Sequence, residues 1–207
     1  MTPYSETGGI IWLQTADSTN KEVRRRMGSL DNLSIIAALT QTAGRGQGTH
    51  TWYSRPGTGL TFSLLLRFPP EGEYPLNIKD VLLITELTTV SLRDFLLGRG
   101  IEARIKWPND IWVGDRKICG ILIENVLDAE MVSSSIVGIG LNVNETSWPS
   151  ALPNPVSMRQ LTGKEYALEA ELEELGRELA KKYALLGTAE GRAQLDSEFN
   201  RSMFRLP

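Results

Sequence analysis

The chain of 207 residues is 41% hydrophobic and 23% charged, which is apolar mass enough for a substantial core. Its 22 basic and 25 acidic side chains leave a net charge of −3, so no overall electrostatic pull toward nucleic acid exists and no DNA partner is expected. A single cysteine, Cys119, excludes an internal disulfide, and a single histidine, His50, leaves no His/Cys metal cluster.

The N-terminus lacks the basic start and apolar core of a signal peptide, and no apolar run approaches the roughly 20 residues of a membrane span. A cytoplasmic chain with no membrane contact is the expectation. Ile10 to Gln14 reads as a strand, and Asp17-Ser18-Thr19-Asn20-Lys21-Glu22 as a helix start, with Thr19 and Glu22 spaced as a capping box. That helix runs to about Met27. Ser34 to Thr40 is an apolar strand, Gln41 to Gly59 a glycine-rich loop, and Leu60 to Phe68 a further strand; helical periodicity returns between Lys79 and Leu97.

From Ala103 to Asn144 the chain reads as strands: Ala103 to Lys106, Ile111 to Val113, Lys117 to Val126 and Met131 to Asn142, with Gly114-Asp115-Arg116 as a tight turn. A run of hairpins with segregated helices predicts an α+β fold: a mixed, mainly antiparallel sheet with helices packed on one side. The strand from Met131 to Ile139 is expected at an exposed edge, where a second copy could pair to give a homodimer. Pro149, Pro153 and Pro155 mark a seam between this body and a C-terminal helical part over residues 150–207. There Leu168, Leu172, Leu175, Leu179, Tyr183 and Leu186 describe one face of an amphipathic helix.

Four segments at strand ends carry chemistry. Asp17 to Asn20 presents hydroxyls and an amide at a helix start, sufficient for capping and also for a ligand. Gln41 to Gly48 sets glycines around Arg45, so backbone N–H groups and a guanidinium can meet an anion; it matches neither the P-loop nor the dinucleotide fingerprint. Trp52, just downstream, serves as core or as a stacking face for a flat base. Lys106-Trp107-Pro108-Asn109-Asp110 puts a lysine at the end of a strand before a rigid turn, and Gly138 to Asn144 is an apolar strand ending in two asparagines that need partners. Together they describe a site for an anionic, partly planar ligand.

Those segments, with Gly120-Ile121-Leu122-Ile123-Glu124, occur in the order and rough spacing of the biotin protein ligases, a class II synthetase-like fold. The resemblance runs from about Ile10 to Asn144 and more weakly through Leu161-Thr162-Gly163-Lys164. It implies ATP-dependent activation of biotin to biotinyl-adenylate and transfer to one lysine of a biotin carboxyl carrier protein, or of that domain in a biotin-dependent carboxylase. It further implies that Ser18, Thr19, Asn20 and Gln41 hold the ureido ring, while Gly44, Arg45, Gly46 and Gln47 wrap the adenylate linkage beside Gly120. Trp52 would pack on adenine, Lys106 would bind the reacting carboxylate and phosphate oxygens, Lys117 would lie near the phosphates, and Asn142 would face the nucleotide. Arg45 and Lys106 would offset charge during the attack, with Mg2+ as activator and its ligands unknown. Lipoate ligases share this logic, and a noncatalytic biotin sensor or a general nucleotide-binding domain are the other readings.

The chain departs from the family pattern in three ways. Gln47 stands where a second arginine is common, which predicts faster loss of biotinyl-adenylate. The loop continues Gly48-Thr49-His50-Thr51 rather than as a more basic run. No C-terminal β-barrel and no N-terminal helix-turn-helix are evident, so residues 1–207 are expected to be a catalytic domain without repressor function.

Overall fold

The computed structural model describes residues 5–7, 9–72 and 74–204. Among the described residues the strands are β1 (Ser5–Thr7), β2 (Ile10–Ala16), β3 (Ile35–Gln41), β4 (Gly59–Arg67), β5 (Arg104–Lys106), β6 (Asp110–Val113), β7 (Arg116–Asp128) and β8 (Met131–Asn142). These eight form one sheet in the order β1-β2-β3-β4-β8-β7-β6-β5. Only β2 and β3 run parallel, so the sheet is mixed and mainly antiparallel, as expected. The β2–β3 crossover is made by α1 (Thr19–Arg26), because parallel neighbours cannot be joined by a tight turn.

Strand alternation divides the apolar residues between two faces. Ile35, Ala37, Leu64, Leu66 and Val137 point to one face, where α2 (Leu82–Leu97), α4 (Leu168–Ala184) and α5 (Ala189–Ser202) close the main core; α3 (Met158–Thr162) is a short turn contributing Met158. Leu13, Ile36, Ala38, Leu65 and Ile136 point to the other and bury Val23 of α1. The three long helices thus share one side, and α1 alone covers the opposite face. It covers only part of it, and the uncovered remainder is the cleft described below.

The strand from Met131 to Ile139 is not an edge. β8 lies between β4 and β7, nearly all its residues are buried, and its register to both neighbours runs almost its full length. Its apolar composition reflects burial on both sides, so the pairing surface expected for a second copy is absent. β1 and β5 are the terminal strands instead, and residues 203–204 run along β5 through the Ile105 to Met203 bridge and the Phe204 N–H to Ile105 carbonyl bond. The proline-rich seam is pinned to the body: Lys117 N–H donates to the Asn154 carbonyl and Val156 N–H to the Lys117 carbonyl. A helix also follows α4 that was not resolved as a separate element in the periodicity. Lys182 of α4 binds Asp94 of α2 at 2.9 Å and Glu198 of α5 at 2.8 Å, tying the three helices together.

The capping box expected at Thr19 and Glu22 is not formed. Ser18 is the cap residue, making no side-chain cap bond, and the box occurs instead at Ser157 and Gln160 of α3. Thr19 and Glu22 have other partners. Burial pushes the Glu22 carboxyl up, and hydrogen bonds from Arg25 and Arg26 more than offset it, so the group lies below its ordinary range. Arg25 also binds Asp17 at 2.7 and 2.8 Å and holds that carboxyl well below the usual range. Arg24 lies 3.8 Å from Glu124, so each arginine of the Arg24-Arg25-Arg26 run faces a carboxylate. No helix among the described residues is long and apolar enough to cross a membrane.

Candidate functional site

The open part of the α1 face holds a cleft of ≈ 340 Å³. Its floor is made by glycines: Gly120 on β7, with Gly138 and Gly140 on β8, where the intervening Ile139 points into the main core. These positions must lack a side chain. A Cβ on Gly138 would collide with the Asn20 amide and one on Gly140 with the Trp52 ring.

One wall is polar and comes from the start of α1 and the end of β3. The Thr19 N–H donates to Gln41 Oε1 at 2.9 Å, and the Thr19 hydroxyl oxygen lies 3.3 Å from the same oxygen. Beneath it lies Ser63 of β4, wholly buried, with Oγ 2.7 Å from Thr19 Oγ1 and 2.6 Å from Asn20 Oδ1. Asn20 Nδ2 donates to the Leu122 carbonyl at 3.3 Å and to Glu124 Oε2 at 2.9 Å. Ser18, Thr19 and Asn20 are each 3% exposed, so these polar groups are held with little freedom to reorient.

The opposite wall is the glycine loop, folded on itself as a narrow hairpin. Gly46 N–H donates to the His50 carbonyl at 2.8 Å and Trp52 N–H to the Gly44 carbonyl at 3.0 Å. Gly48 supplies the bend with φ +63°, a conformation that favours glycine. Trp52 then lays its indole across Gly120 and Gly140, and its Nε1–H is buried with no acceptor among the described residues. A buried donor without a partner is costly, and an acceptor on a ligand would relieve it.

Two cations flank the space. Arg45 Nη1 lies 3.2 Å from Glu124 Oε1, and Lys117 Nζ lies 2.7 Å from Asp110 Oδ1 and 5.8 Å from the Trp52 ring centre. Of the residues singled out in the sequence, Ser18, Thr19, Asn20, Gln41, Arg45, Gly46, Gln47, Trp52, Lys117 and Gly120 line this cleft. Gly44 stands just behind it, where a Cβ would strike the Trp52 carbonyl.

Lys106 and Asn142 are placed elsewhere. The Lys106 ammonium rests 3.8 Å from the centre of the Trp112 ring, a cation–π contact that draws it away from the cleft lining. Asn142 is 7% exposed and donates to the carbonyls of Lys117 and Val156. Its amide joins β8 to β7 and to the segment before α3, and Asn142 is not among the residues that line the cleft.

Several further residues of the site belong to segments singled out in the sequence but carry no assigned role there, and Ser63 lies outside those segments. Gly138 and Gly140 form part of the floor, and their spacing of two inside an apolar strand was the available signal. Asp110 and Asn109 approach through the β5–β6 turn, whose Trp107-Pro108 bond is cis. His50 and Thr51 line the loop side. Ser63 offered only one weak cue, a hydroxyl between Phe62 and Leu64 in an apolar strand.

Burial pushes the Cys119 thiol far up, which makes it a core group rather than a nucleophile. Among the described residues no three His, Cys, Asp or Glu side chains gather to hold a metal. A cleft with a hydrogen-bonding wall, a glycine floor, an indole and two flanking cations suits a ligand with a polar ring at one end and a planar, anionic group at the other.

A family model described as biotin/lipoate A/B protein ligase matches residues 12–144, which contain every element of the cleft. The chain belongs to the biotin/lipoate A/B protein ligase family. Within it, the chain is 36% identical over 134 residues to a bifunctional ligase/repressor of Bacillus spizizenii, covering 63% of this chain and 40% of that protein. It is 30% identical over 181 residues to a biotin–[acetyl-CoA-carboxylase] ligase of Paracoccus denitrificans, covering 85% of this chain and 73% of the relative. Among solved structures it resembles the biotin protein ligase from Aquifex aeolicus in complex with biotin and ATP, with TM-score 0.80 and 25% identity over 97% of this chain and 80% of that one. The chain thus spans about two fifths of the length of the Bacillus relative.

Proposed function

We propose that this chain is a biotin protein ligase catalytic domain that activates biotin with ATP and passes the biotinyl group to a lysine of a biotin carboxyl carrier domain. The observation that carries the reading is the meeting, in one cleft, of the Ser18–Asn20 and Gln41 wall with Arg45, Trp52 and Lys117. The biotin and ATP named for the Aquifex structure support both halves of the ligand.

In the first step the biotin carboxylate attacks the α-phosphorus of ATP, the bond to the leaving pyrophosphate breaks, and a mixed anhydride with AMP results. Both reactants are anionic, so their approach needs cations that are already in place. Arg45 and Lys117 are at the cleft, and Lys106 reaches it by leaving the Trp112 ring. The wall formed by Ser18, Thr19, Asn20 and Gln41 satisfies the ureido group, and the loop brings Gln47 close to the anhydride while the Gly46 N–H stays on the His50 carbonyl. In the second step a neutral lysine amine attacks the acyl carbon, AMP departs with the C–O bond electrons, and the amine gives up its proton as the amide forms.

Magnesium, when bound, neutralises charge on the triphosphate. The described residues fit no dedicated metal cage, since Asp110 is already paired with Lys117. The ion is read as travelling with the nucleotide, and no step is assigned through it. DNA binding and membrane association form no part of the reading, and a reducing cytoplasm is the expected compartment.

Incubation with biotin, ATP and a carrier domain, followed by intact-mass measurement, tests the proposal. A mass gain of one biotinyl group on one lysine, dependent on ATP, is the expected result. A carrier that stays unmodified while the chain binds biotin would favour the sensor reading.

A further inference from the structure

The two walls of the cleft are joined beneath the ligand space by an uninterrupted series of hydrogen bonds. Gln41 Oε1 accepts from the Thr19 N–H at 2.9 Å, the Thr19 side chain places Oγ1 2.7 Å from Ser63 Oγ, and the Ser63 hydroxyl donates to Asn20 Oδ1 at 2.6 Å. Asn20 Nδ2 then donates to Glu124 Oε2 at 2.9 Å, and the other oxygen of that carboxylate accepts from Arg45 Nη1 at 3.2 Å. The series therefore starts at the end of β3, passes under α1 across β4 to β7, and ends on the glycine loop.

Glu124 is the member whose chemistry has no substitute. Asn20 cannot turn its amide over, because Nδ2 also donates to the Leu122 carbonyl while Oδ1 faces the Ser63 hydroxyl. Asn20 and Arg45 thus both present donors to Glu124. A carboxylate accepts from both at once, whereas an amide can accept from only one and turns an NH2 toward the other. Arg24 lies 3.8 Å from the same carboxylate and adds charge but no short bond. Among the described residues Glu124 is the one acid that Arg45 reaches, and Arg45 carries the loop's only charge between Gly44 and Trp52.

We propose that Glu124 is a positioning residue that sets the glycine loop, through Arg45, against the polar wall, through Asn20. Placement of the cation that meets the reacting anions is then coupled to the wall that holds the other end of the ligand. The role rests on reading the cleft as the site of biotin adenylation. Glu124 itself does not line the cleft and touches no reacting atom.

The test uses E124Q, R45A and the double variant in the full chain, with two readouts. The first is amide hydrogen exchange without ligand: E124Q should speed exchange of the Gly46 and Trp52 amides by about fivefold or more, with β8 unchanged. The second is biotin-dependent exchange of pyrophosphate into ATP. E124Q should lower its maximal rate by about tenfold while the KM for biotin moves less than about threefold. Because Glu124 acts through Arg45, the double variant should be no slower than R45A alone. Loop amides that exchange as in the unaltered chain, or losses in the two variants that multiply in the double, would overturn the proposal. If the unaltered chain shows no biotin-dependent exchange, the functional reading fails, and the hydrogen-exchange arm still decides the role of Glu124.

Discussion

The indole of Trp52 lies on the bare backbone of Gly140, so closely that a single methyl group at residue 140 would occupy the ring's position. The loop and the central strand of the sheet therefore fit only because β8 omits a side chain there. Gly140→Ala is expected to lift Trp52 and the adenylate side of the loop, weakening ATP binding by about tenfold or more. Biotin binding, which depends on the wall at Thr19 and Gln41, should change much less. Isothermal titration with each ligand checks the split.

Lys106 and Lys117 are predicted to differ in kind. Lys117 is fixed by Asp110 at the cleft, whereas Lys106 rests on Trp112 and must move to act. Lys106→Gln should lower the maximal rate of adenylation by about a hundredfold with little change in biotin affinity, the pattern of an interaction made mainly in the transition state. Lys117→Gln should act chiefly on the KM for ATP. Steady-state kinetics of the two variants distinguish these outcomes.

Gln47 sits at the cleft as a neutral amide where related ligases often carry an arginine. Charge-assisted bonds to phosphate are roughly twice as strong as neutral ones, so Gln47→Arg is expected to slow release of biotinyl-adenylate by about tenfold. Preloading the chain and following adenylate loss after rapid dilution measures it. Equal release rates would remove any role for the amide.

Away from the cleft, Glu86 of α2 is 3% exposed, and its Oε2 has no partner among the described residues. Burial first, and the Asp196 charge second, push its carboxyl up to about 7. In the unfolded chain a glutamate titrates at about 4.3, so the folded state binds the extra proton. The contribution to stability is present below that unfolded value and is lost as pH rises through about 7. Glu86→Gln should leave stability nearly unchanged near pH 4 and raise it by about 4 kcal/mol at pH 8, an order-of-magnitude figure. Urea unfolding of both proteins at the two pH values tests the sign.

The elements were legible where one local pattern dictated them. The strand-like runs from Lys117 to Asn142 around the Gly114-Asp115-Arg116 turn, and the leucine spacing from Leu168 to Leu186, marked β7, β8 and α4 because each buries apolar residues along its length. What could not be read was set by partners distant in sequence. Thr19 and Glu22 have the spacing of a capping box, but Gln41 and Ser63 claim one side chain and two arginines the other. β8 read as an edge because nothing local says that β4 returns to pair with it. In the candidate site, charged and glycine-rich segments were visible as such. The rest turned on sheet register, which brings Gly138 under Asn20, turns Asn142 toward the Lys117 carbonyl and lets Lys106 find Trp112.

Exchange of labelled pyrophosphate into ATP, with biotin and lipoate in parallel, tests the central claim most directly, because it reports acid activation without any carrier protein. The account predicts exchange that requires biotin and is not supported by lipoate. Exchange with lipoate in place of biotin, or none with biotin despite measurable biotin binding, would contradict it.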